Sequence, residues 1–93
     1  MHLIGIKVIF HIYYVESLKE KRRIVKSITD RVRNKYKISA AEVDYLDSLD
    51  RGSLGFGVVS NNRQHAETML QKVLNQIDLI SEIEVIDVEW FEA

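Results

Sequence analysis

Ninety-three residues, 46% apolar and 29% charged, suffice for one globular domain over residues 1–93 that buries roughly 65% of its unfolded surface, and they leave no room for a second. Cysteine is absent, which excludes thiolate catalysis, disulfides and cysteine-ligated zinc; with no signal or membrane segment in the apolar run broken by Lys7, a soluble cytoplasmic protein with no membrane partner is expected. The net charge of −1 favours no partner, but residues 17–37 hold nine Lys or Arg against two acids, while the remainder holds four bases against twelve acids.

Ile4, Ile6, Val8, Phe10 and Ile12 recur at spacing two and define one face of a first strand, with Gly5, Lys7, Ile9, His11 and Tyr13 on the other. Ser17-Leu18-Lys19-Glu20 has the form of a capping box, in which the serine hydroxyl takes a free helix amide and the glutamate reaches back to the serine amide. Behind it Leu18, Val25, Ile28, Val32 and Tyr36 form an apolar helical stripe flanked by Ile24. Ala41, Val43 and Tyr45 alternate with acids as an edge strand, and Asp47-Ser48-Leu49-Asp50 is the expected turn. Leu54 to Val59 reads as a buried strand whose glycines admit a close neighbour. Ala66, Met69, Leu70, Val73, Leu74 and Ile77 give a second helix, and residues 83–91 a last strand whose alternation slips between Val85 and Ile86, the mark of a bulge. This order predicts an α+β, ferredoxin-like βαββαβ sandwich: a four-stranded antiparallel sheet with strands one and three central and two helices on one face.

No arrangement of residues gives a usable nucleophile, acid-base pair or metal set, so no catalytic residue, cofactor or metal is assigned and a non-enzymatic protein is expected. His2, His11 and His65 lack the spacing that puts two ligands on one helix face, and Asp44, Asp47 and Asp50 lack the alternate-position ligands and glycine of a calcium loop. Gly52, Gly55 and Gly57 lie inside a strand pattern rather than before a helix, where a dinucleotide fingerprint would need them. The Leu54 to Val59 stretch is similar to the glycine-aromatic core of an RNA-recognition motif, but Phe56 is the only stacking ring it offers, and packing of Phe56 into the core is the favoured role.

The basic helix is the strongest functional candidate. Lys19, Lys21, Arg22, Arg23 and Lys26 cluster in its first turns and Arg33 extends the charge, an arrangement that suits phosphates held by electrostatics and counterion release. A solvated surface, or docking on the acidic half of a second copy, is the competing explanation of the same charges.

From Ser17 through Ser27, in the run Ser-Leu-Lys-Glu-Lys-Arg-Arg-Ile-Val-Lys-Ser, the chain closely resembles the YlxP-like family of small bacterial proteins, a domain of unknown function. The likeness continues through Ser39 to Asp44, Leu54-Gly55 and Val58 to Asn61, while His11 to Val15 departs from relatives that often carry a proline or small residues there. The resemblance implies a ferredoxin-like fold. Because relatives are commonly encoded beside translation-initiation and ribosome-maturation factors, it also implies a role near ribosomal RNA or ribosome assembly, with no catalytic residues to carry over. Three functions follow as expectations: an accessory protein contacting RNA or a ribosomal subunit through Lys19, Lys21, Arg22, Arg23, Lys26 and Arg33; a homo-oligomer formed through an apolar sheet face bearing Gly5, Ile9, His11, Tyr13, Gly57 and Val59; and, third, a small-anion sensor or phosphate-handling enzyme.

Overall fold

A computed structural model describes residues 1–93. The elements are β1 (His2–Ile12), α1 (Leu18–Tyr36), β2 (Ser39–Asp44), β3 (Arg51–Ser60), α2 (Arg63–Ile77) and β4 (Ile83–Glu92). The strands pair antiparallel in the order β2-β3-β1-β4, with β1 and β3 at the centre.

The period-two pattern of β1 is satisfied completely: Ile4, Ile6, Val8, Phe10 and Ile12 are at most 3% exposed, and every intervening residue is more open. They face Val25, Ile28 and Val32 of α1 and Ala66, Leu70, Val73 and Ile77 of α2 in one core, to which β3 contributes Leu54, Phe56 and Val58. Each large side chain so enclosed contributes about 1.5–3 kcal/mol over its exposed state. Phe56 thus lies under the helices, and the other face of the sheet carries no layer.

Ser17 caps α1 through its hydroxyl, which accepts from the Glu20 amide at 3.2 Å. The reciprocal arm differs from the expected box: the Glu20 carboxylate accepts from the Glu16 amide, at 3.4 Å, one residue before the serine. Ser17→Ala is therefore expected to cost about 1 kcal/mol, read as a shifted urea midpoint at unchanged slope, whereas Glu20→Ala should cost less because its hydrogen bond is long and exposed.

The slip at Val85 and Ile86 is a bulge. Ile9 pairs with Asp87 and Phe10 with Val85, which leaves Ile86 as the extra residue, half exposed. In β2 the inward residue is Ala40, while Ala41 and Val43, expected as its alternating apolar set, stand on the exposed side. The strand is short and shifts register at Val43, so besides Ala40 only Glu42 reaches the helix layer.

All four glycines lie in β1 and β3, and none has a positive φ. The left-handed positions are taken instead by Tyr14, Lys37 and Tyr45, with φ between 56° and 58°. Gly5, Gly52 and Gly55 serve for space in the sheet, not for turning the chain.

Candidate nucleic-acid interface

A helix places residues four apart in one row along its surface. On α1 most of the exposed cations lie on two neighbouring stripes that differ in their partners. Along the row Lys19, Arg23, Ser27, Arg31, all three cations are exposed and none has an ion pair or side-chain hydrogen bond. Along the neighbouring row, Lys26 reaches Asp30 at 3.0 Å, Arg33 reaches Asp30 at 3.6 Å, and Arg22 lies 3.9 Å from Asp47 with both side chains largely in water. Surface pairs of this kind contribute at most about 1 kcal/mol, but they neutralise charge that an anion would otherwise meet.

Lys21 does not belong to this surface. Its side chain is fully enclosed; the ammonium donates to the Tyr45 carbonyl oxygen and lies 3.6 Å from Oε2 of Glu42 on β2. The reason is positional: Leu18, Lys21, Val25, Ile28 and Val32 step by three and four along the inward stripe, so the backbone aims Lys21 at the sheet whatever its charge. The assignment of Lys21 as a nucleic-acid contact is corrected accordingly. Arg33 is partly withdrawn as well, since its guanidinium donates to the Ala40 carbonyl oxygen of β2.

Arg31, absent from the expected contact set, is exposed on the first row, where Lys21 is not. With Arg23 it flanks a shallow groove of about 250 Å³ between α1 and the segment after α2, lined also by Ile24, Ser27, Ile80 and the acid Glu82. Eight residues of helix separate the two arginines by about 12 Å along the axis. The signal that could have found Arg31 is the pair of i, i+4 steps from Arg23 through Ser27, which keeps it away from the apolar stripe.

The remaining candidates are placed as follows. Phe56 is 2% exposed and unavailable for stacking. His2 lies 3.5 Å from Glu92, His11 packs edge-on against Tyr13 at 4.6 Å, and His65 is exposed on α2. No group of three or more His, Asp or Glu converges on a point where an ion could sit. Asp44 and Asp50 bracket the β2–β3 turn as separate hydrogen-bond acceptors. The Tyr45 amide, then Lys7, holds the Asp44 carboxyl below the usual range, and the Ser48 hydroxyl does so for Asp50. Tyr13 donates to Glu84 at 2.9 Å, which holds its hydroxyl protonated to higher pH than a free tyrosine. No helix is long and apolar enough to cross a membrane.

A known structure shares this architecture. A solved structure described as "Structural Genomics, protein YJCS" superposes with a TM-score of 0.52 over 98% of each chain at 14% identity, a likeness of fold alone. The "Uncharacterized protein YlxP" of Bacillus subtilis (strain 168) is 45% identical over 82 residues, covering 86% of this chain and 89% of that protein. The family described as "Protein of unknown function (DUF503)" matches residues 4–90, spanning all six elements, and the chain belongs to that family.

Proposed function

We propose that the protein is a non-enzymatic accessory factor that contacts structured RNA, as in a ribosomal subunit, through the exposed row Lys19, Arg23 and Arg31 of α1. The observation that carries the reading is that none of these three cations makes an ion pair, on a chain whose overall charge is −1. Three unpaired cations along about 18 Å of helix offer a polyanion more than they offer the fold, because Lys19 in the first turn costs a little against the helix dipole and none of the three gains from an ion pair. Binding by such a row is governed by counterion release, so it weakens steeply with salt and discriminates little between sequences.

The test is retention of ribosomal RNA and of ribosomal subunits across a salt series. Lys19→Ala/Arg23→Ala/Arg31→Ala should flatten the dependence of log affinity on log salt by about one unit per cation removed. The matched variant Arg22→Ala/Lys26→Ala/Arg33→Ala, in the partly neutralised row, should flatten it less. Equal binding by wild type and the first variant, or no saturable binding by either, refutes the proposal.

A further inference from the structure

Gly57 has no internal reason to be glycine. Its φ is not positive, and a Cβ built there would meet nothing within 4 Å. Its neighbours differ: a Cβ on Gly5 would stand 3.1 Å from the Phe56 carbonyl oxygen, and one on Gly55 would stand 3.0 Å from Val43 Cγ1. Glycine inside a strand costs about 0.5–1 kcal/mol, and such a position commonly marks close approach by another group.

Gly57 lies on the sheet face without helices. Across the strands its row reads Phe91, Gly5, Gly57, Ser39. With Ala41, Val43 and Gly55 these residues form an apolar hollow of about 420 Å³, and Phe91, at its edge, is 55% exposed. Leu3, Val43 and Val59 on the same face are between 42% and 66% exposed. One face thus holds both a projecting ring and a bare floor able to receive one.

We propose that this face binds a second copy of the chain, in an isologous dimer whose two-fold axis runs along the strands, with each Phe91 ring laid over the partner's Gly57. A two-fold contact is self-complementary by construction, so a ring and a slot on one surface are satisfied twice. Running over β1, that axis sets the segment Phe91, Gly5, Gly57 against its own reverse, which brings β4 of one copy over β3 of the other. The same operation carries Glu84 toward Arg51, the two ends of the row Glu84, His11, Arg51, and so aligns opposite charges. Strand spacing and length give the three overlapping strands roughly 450 Å², hence about 900 Å² in all, the size of a weak, reversible contact. A nucleic acid fits this face poorly: Lys7 is already paired with Asp44 at 3.3 Å, and Glu84, Asp87 and Glu89 line the β4 side. The dimer is independent of the RNA reading, since α1 lies on the other layer and stays free.

Sedimentation equilibrium from about 1 µM to about 1 mM should show wild type passing from monomer to dimer in the micromolar range. Gly57→Glu, whose side chain enters open space in the monomer, should remain monomeric throughout. Val59→Glu, a surface change on the same face, should weaken association at least tenfold, with the thermal midpoint at the lowest concentration unchanged. A wild-type monomer at about 1 mM would overturn the proposal, as that face would then serve another partner. A dimer that persists in both variants would overturn it equally, because the interface would lie elsewhere.

Discussion

Replacing Lys21 with alanine is expected to remove about 3–5 kcal/mol of stability, more than any other change to a charged residue of α1. Deleting one member of a buried pair leaves the other without compensation, and here the loss is double. Glu42 Oε2 is enclosed with no hydrogen bond and has Lys21 as its ion-pair partner, while the Tyr45 carbonyl oxygen loses its donor at a left-handed residue. The Glu42 side chain keeps 17% exposure, so water can relieve part of the penalty, and the lower half of that range is the better estimate. In a domain of this size about 3 kcal/mol lowers the thermal midpoint by about 12–24 °C. The double variant Lys21→Met/Glu42→Leu should recover most of the loss, because two apolar groups leave nothing unpaired. Arg23→Ala, by contrast, should fall within about 0.5 kcal/mol of wild type. Chemical denaturation of the four proteins at one pH decides the matter; a Lys21→Ala protein as stable as Arg23→Ala would show that the enclosed pair holds nothing together.

The second large effect concerns Gly52 and Phe10, which face each other across β3 and β1. A Cβ on Gly52 would lie 2.4 Å from Cζ and 2.7 Å from Cε2 of the Phe10 ring. The ring is fully enclosed and is held on all sides by packed side chains, so it cannot swing clear. Gly52→Ala should cost about 1–3 kcal/mol through overpacking, and Phe10→Ala about 3–5 kcal/mol through the void it leaves. The double variant should cost clearly less than the two together, since the added methyl then occupies part of that void. Strict additivity in denaturant melts would mean that the ring yields, and that Gly52 is glycine for some other reason.

Much of this fold was legible because its signals are periodic. The five alternating residues of β1 specify a strand and its buried face, Ser17 marks the start of α1, and the broken alternation at Val85 and Ile86 locates the bulge. The candidate site was less legible because charge and position gave opposite advice. Lys21 was placed with the basic cluster by its charge, although the stripe through Leu18 and Val25 places it inward. Arg33 was legible as a cation but not as a donor to Ala40, which depends on β2 lying beside the carboxyl end of α1. Arg31 gains its freedom from Asp30, whose carboxylate is drawn to Lys26 and Arg33 instead, a choice among side-chain conformations that spacing does not encode.

The central place of β1 also has a consequence for synthesis. It is the first strand to emerge and the last to be completed, since Ile12 waits for Ile83 and Ile4 for Glu92. A growing chain can close β1 onto β3 and bring both helices down, but along its other side the backbone amides and carbonyls of β1 stay bare until β4 arrives. Such an edge is a template for pairing with any extended chain nearby. A transcript cut short before the codon for Ile83 would therefore yield a product that is folded on one flank and adhesive on the other.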